Sequence, residues 1–147
     1  MTTKIVTRRP SGNWNGTEID RMFERFFGEM MPVETRPSGS VWSPSVDVKE
    51  DEQQFSVLVE LPGLKSSDIE VQVENNVLFI SGERRMEEKK EGENWHFVER
   101  SYGSFSRSFR LPKNVDSEGV KASYSDGMLS ISIPKAEEAR PRKVEIS

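Results

Sequence analysis

Phe105-Ser106-Arg107-Ser108-Phe109-Arg110-Leu111-Pro112 and, a short interval later, Ala122-Ser123-Tyr124-Ser125-Asp126-Gly127-Met128-Leu129 are the stretches that decide the fold. In the first, a period of two puts Phe105, Arg107, Phe109 and Leu111 on one face of a strand and Ser106, Ser108 and Arg110 on the other. Arg107 therefore stands where its neighbours are apolar. Two arrangements accommodate it: a stem packed at a sheet margin with its head in water, or a charge buried between subunits. A buried guanidinium is costly to desolvate and has to be met by a carboxylate or by carbonyls. In the second stretch, Asp126-Gly127 supplies the two positive-φ positions of a type I′ hairpin. Leu129, Ile131 and Ile133 then alternate with Ser130 and Ser132 until Pro134 ends the strand.

The same period extends upstream. Phe55, Val57, Val59 and Leu61 alternate before Pro62-Gly63, and Ile69, Val71 and Val73 alternate before Asn75-Asn76. Val77-Leu78-Phe79-Ile80 runs into Ser81-Gly82. With Val46-Asp47-Val48 and the strands around Phe105, Val120 and Leu129, this predicts about seven short strands, no convincing helix, and an all-β, immunoglobulin-like antiparallel β-sandwich over residues 46–134. Glu83 to Glu93, almost entirely charged, reads as an exposed loop, and Trp95-His96-Phe97-Val98 as a short strand of alternating bulk.

Flanking segments have a different character. Residues 1–45 form an arm bounded by loop chemistry at Arg9-Pro10-Ser11-Gly12 and Arg36-Pro37-Ser38-Gly39. Within it, Thr17 and Asp20 cap an amphipathic helix over 17–31, whose stripe is Ile19, Met22, Phe23, Phe26, Phe27, Met30 and Met31. Methionine adapts its shape and phenylalanine carries large apolar area, so this stripe suits the capture of many partly unfolded chains or packing inside an assembly. Residues 135–147 form an extension: a charged linker too polar to order itself, then Val144-Glu145-Ile146, two β-branched residues on one side of an extended peptide.

Composition excludes several chemistries. The 147 residues contain no cysteine and one histidine, His96, which removes disulfides, thiolate catalysis and cysteine- or histidine-rich metal centres. A net charge of -4 gives no basic face for nucleic acid. The first residues carry no apolar signal region, and Glu18, Asp20, Glu24 and Glu29 offset Arg21 and Arg25 on the polar face of the arm helix, so a cytoplasmic protein without stable membrane association is expected. No G-x-x-x-x-G-K-[ST] loop occurs, in keeping with a protein that uses no ATP. No cofactor is expected, and although 25 acidic residues are present, most lie in charge runs or on the polar side of strands, which argues against an enzyme.

Taken together, Glu99-Arg100, Gly103, Phe105 through Pro112 and Ala122 through Leu129 resemble the signature of the small heat-shock proteins, the α-crystallin (Hsp20) family. The family pattern, roughly A-x-x-x-N-G-x-L, has Asn and an aliphatic residue where this chain has Asp126 and Met128; both replacements keep the turn chemistry and apolar character. The resemblance extends to Val46-Asp47-Val48, to Glu60-Leu61-Pro62-Gly63 and to Val144-Glu145-Ile146. It implies an α-crystallin domain and a bacterial- or plant-like arrangement, in which the loop after Glu83 carries a strand that crosses to a partner subunit. Trp95 and Phe97 fit such a strand; the alternative is a hairpin that folds back on its own sheet. It further implies Arg107 at the dimer interface, with Glu99 as candidate carboxylate. The tail, Val144 and Ile146, would dock between the strand of Ile69, Val71 and Val73 and the strand of Val120, Ala122 and Tyr124 in a neighbouring subunit.

The expected function is that of an ATP-independent holdase, a strand-exchanged dimer assembling into a larger homo-oligomer, which keeps partly unfolded clients soluble for ATP-driven chaperones. The alternative is a monomeric β-sandwich co-chaperone docking on an ATP-driven chaperone. Such an adaptor needs neither the V-x-I tail nor the Phe/Met arm.

Overall fold

A computed structural model describes residues 42–147. The arm helix expected over 17–31 lies outside the described residues. Seven strands follow: β1 (Val46–Glu50), β2 (Gln54–Glu60), β3 (Ile69–Glu74), β4 (Val77–Arg84), β5 (Gly103–Arg110), β6 (Lys121–Ser125) and β7 (Met128–Pro134). They form two antiparallel sheets, β1-β2-β7-β6 and β3-β4-β5.

The alternation read from the sequence is what closes the sandwich. Phe55, Val57 and Val59 face Ile133, Ile131 and Leu129 across β2 and β7, while Leu78 and Ile80 stand with Phe105 and Phe109 on the inner side of the second sheet. These residues and Leu61 and Leu111 form one buried cluster. Each such side chain removed from water contributes roughly 1.5–3 kcal/mol, which makes the shared core the principal stabilising term.

Turn chemistry sets the register. Asp126 and Gly127 take φ of 52° and 75°, as an Asp-Gly type I′ hairpin requires, and Asn75 and Asn76 take 49° and 62° between β3 and β4. Asn76 also clamps the end of β5: its Nδ2 donates to the Leu111 carbonyl at 2.7 Å, and the Leu111 amide donates to the Asn76 carbonyl at 2.8 Å. Gly63, with φ 79°, turns the chain from the first sheet toward the second. This turn rests on the β6–β7 hairpin, because the Leu61 amide donates to the Gly127 carbonyl at 2.8 Å and the Tyr124 hydroxyl donates to the carbonyls of Leu61 (2.6 Å) and Leu64 (3.2 Å).

Three sequence expectations change. Glu83 and Arg84 are not loop: β4 runs on through them, and Arg84 is buried at 8% exposure. The parity of Leu78, Ile80 and Gly82 carries Arg84 to the inner side, where the Trp42 ring covers it. Among the described residues Trp95-His96-Phe97-Val98 has no strand partner, so the alternative of a hairpin folded back on its own sheet is not formed there. The linker after Pro134 is not wholly unordered either. Lys135 forms an ion pair with Glu50 at 2.8 Å, lies 5.3 Å from the Phe55 ring centre, and donates its amide to the Gln53 carbonyl at 2.8 Å.

Candidate functional site

Among the described residues the sandwich leaves strand edges unpaired, and they are where an extended peptide can add. β1 and β6 are the outer strands of one sheet, β3 and β5 of the other. The β5 edge is partly covered. Trp42 makes a parallel bridge with Phe105, its amide donates to the Ser104 carbonyl at 3.3 Å and its Nε1 to the Gly103 carbonyl at 3.0 Å.

Around β3 and β6, side chains on the core side are incompletely covered. Ile69, Val71, Val73, Val120 and Tyr124 are half-buried and pack against the core cluster. Ala122 stands opposite the fully buried Ile131, on the inner side of its sheet, yet is exposed. The small side chain at the sheet margin leaves apolar surface of the sandwich open to water. Val144 and Ile146 are 71% and 98% exposed, so the tail covers none of it within its own chain.

A second exposed apolar set lies on the long connection between β4 and β5, where Trp95, Phe97 and Val98 face water, Phe97 at 77% exposure. Glu99 is exposed on the same connection. Arg107 keeps the parity assigned to it: it pairs with the fully buried Ile80, is half-buried, and holds its guanidinium 5.3 Å from the Phe109 ring centre.

The more deeply buried guanidinium is that of Arg84, which the charged run around it concealed. It lies 4.4 Å from the centre of the Trp42 ring, its Nη1 donates to the Ser101 carbonyl at 3.2 Å, and its Nε has no hydrogen-bond partner. Burial, and next the neighbouring Arg100, lower its pKa. The signal lies in the alternation Leu78, Ile80, Gly82, Arg84, which continues the inner face of β4 through the charged residues.

Two antiparallel sheets around one apolar core, with an Asp-Gly hairpin tied to a Pro-Gly turn and a V-x-I tail, define an α-crystallin-type β-sandwich. The model of the Hsp20/alpha crystallin family matches residues 47–147. Small heat shock protein C4 of Rickettsia felis is 40% identical over 131 residues, covering 88% of this chain and 80% of that protein. The 22.7 kDa class IV heat shock protein of Pisum sativum is 46% identical over 114 residues, covering 75% and 58%. Among solved structures, a small heat-shock protein from Xylella fastidiosa, described as having a distinct high order structure, superposes with TM-score 0.62 at 44% identity over 72% of this chain and 97% of that one. Heat shock protein 16.0 from Schizosaccharomyces pombe gives TM-score 0.62 at 40% identity over 72% and 99%. The chain belongs to the Hsp20/alpha crystallin family, a family of chaperones and not of enzymes.

Proposed function

We propose that this protein is an ATP-independent holdase: a cytoplasmic, dynamic oligomer of dimers that binds partly unfolded proteins, prevents their aggregation and passes them to ATP-driven chaperones. The observation that carries this reading is the pairing of an exposed V-x-I tail with incompletely covered apolar surface at β3 and β6. Each leaves apolar surface in water, and each fits the other in a neighbouring subunit. Val144 and Ile146 would fill the space above Ala122 between Ile69, Val71 and Val73 on one side and Val120 and Tyr124 on the other.

Two aliphatic side chains at roughly 1.5 to 3 kcal/mol each yield about 3 to 6 kcal/mol before the tail is ordered. A single link is then about millimolar or somewhat tighter. Many such links hold a closed assembly by avidity while each opens readily, so subunits exchange and heat loosens the oligomer.

The dimer beneath the oligomer would use the exposed Trp95–Val98 stretch as a strand added to the free β1 edge of the partner, with Arg107 at the interface and Glu99 as its candidate carboxylate. Clients would meet the Met- and Phe-rich stripe from Ile19 to Met31. The test is light scattering of a heat-labile client warmed with and without the protein in nucleotide-free buffer, with native mass measured in parallel. Suppressed scattering near stoichiometric amounts is expected. Unchanged scattering from a protein of monomeric mass would overturn the holdase and favour the co-chaperone.

A further inference from the structure

Where β4 ends and β5 begins, two guanidiniums approach the same short stretch of chain. Arg84 donates to the carbonyl of Ser101, and Arg100, the adjacent residue, donates from Nη1 to the Tyr102 hydroxyl at 3.3 Å and stands 5.4 Å from that ring centre. Gly63 faces the other side of Arg100, where a Cβ would lie 3.1 Å from Nη2. Burial, and next the like charge of Arg100, disfavour the charge on Arg84. Among the described residues, no carboxylate forms an ion pair with Arg84 or Arg100.

Arg84 carries the second observation. Its side chain is more than nine-tenths buried, Nη1 is engaged by Ser101, and Nε is left without a partner. A buried donor left unpaired costs stability, and the Nε side of a guanidinium fork is matched by a carboxylate, which takes two parallel hydrogen bonds. Arg100, exposed beside it, gives access from solvent.

We infer that Arg84 and Arg100 form a carboxylate-binding site, and that its occupant is a glutamate of the 87–93 run of a second copy of this chain. Within one chain Glu87, Glu88, Glu91 and Glu93 are exposed on the connection leaving Arg84. This inference rests on the strand-exchanged dimer. The free edge of β1 starts at Val46, a few residues past the Trp42 ring that covers Arg84, so a partner connection laid along that edge arrives at this corner. In a two-fold interface the exchange is reciprocal, each copy offering acid to the other's arginines.

The test is a double-mutant cycle on the full chain: Arg100→Gln, the loop variant Glu87→Gln/Glu88→Gln/Glu91→Gln/Glu93→Gln, and their combination, with monomer–dimer ratios read by native mass spectrometry through a dilution series. Arg100 is exposed, so its variant folds, as an unchanged melting temperature will confirm. Each change alone is expected to weaken the dimer about tenfold, and the combination also about tenfold, because both remove one interaction. Independent losses multiplying to about a hundredfold, or no loss from either change, would overturn the inference and leave the dimer standing. A wild-type chain that stays monomeric at every concentration would overturn the dimer itself and this site with it.

Discussion

Gly82→Ala tests the packing that holds the second sheet against the turn before it. Gly82 pairs with Phe105 on β5 and with Ile69 on β3. A Cβ there would lie 2.1 Å from the Asp68 carbonyl oxygen and 2.6 Å and 2.9 Å from two carbons of the Phe105 ring. Glycine is required for space and not for conformation, since its φ is not among the positive ones. The oxygen is backbone, in the 3-10 turn Ser66–Asp68, so no rotamer change relieves the contact. The turn has to retreat by about 1 Å, and Phe105, 1% exposed in the core, has to tilt. Overpacking of this kind costs roughly 1–3 kcal/mol, and two simultaneous contacts place Gly82→Ala near the upper end, about 3 kcal/mol. For a domain of this size, that corresponds to a melting temperature lower by about 12 to 24 °C, read by calorimetry or circular dichroism. Phe105→Leu in the same chain separates the contributions: it removes the ring contacts and leaves the carbonyl, so the double variant should lose less than the two single losses combined. A Gly82→Ala chain melting within about 3 °C of the parent, or strictly additive losses, would refute the packing argument.

Two further outcomes follow from other parts of the molecule. Tyr124→Phe removes the hydroxyl that serves the Leu61 and Leu64 carbonyls and should cost about 1 to 2 kcal/mol in urea unfolding with an unchanged m-value; a loss below about 0.3 kcal/mol would show that water replaces it. Val144→Ser with Ile146→Ser should leave the melting of the sandwich unchanged, because these side chains are 71% and 98% exposed, while reducing the native mass to that of a dimer. Retention of the large assembly would refute the tail-docking reading.

How the fold became legible differs from one element to another. The alternations of Phe55-Val57-Val59-Leu61 and Leu129-Ile131-Ile133, and the Asp126-Gly127 turn, are local rules: side-chain direction has a period of two, and positive φ selects a few residue types. For that reason the strands, the inner residues and the hairpin were all readable. The residues proposed for interaction stand out in the same way, since the V-x-I tail, Arg107 and the Trp95–Val98 stretch each violate the expectation for a self-contained globule.

Arg84 illustrates what local rules miss. Its chain neighbours Glu83, Arg85, Glu87 and Glu88 announce solvent, yet β4 pairs through it to Gly103 and Trp42 stacks on it from more than forty positions away. Trp95–Val98 shows the reverse: its alternation is that of a strand, but strand structure belongs to a pair of edges and not to one sequence, and among the described residues it has no such edge. By itself the sequence determined the strands, their inner faces, their tight turns and the kinship to small heat-shock proteins, because these follow from steric and hydrophobic preferences of neighbouring residues. Only the tertiary structure decided which strands are edges, which guanidinium is buried and where the tail leaves the sandwich, because each depends on groups that the chain brings together only when both sheets close on the shared core.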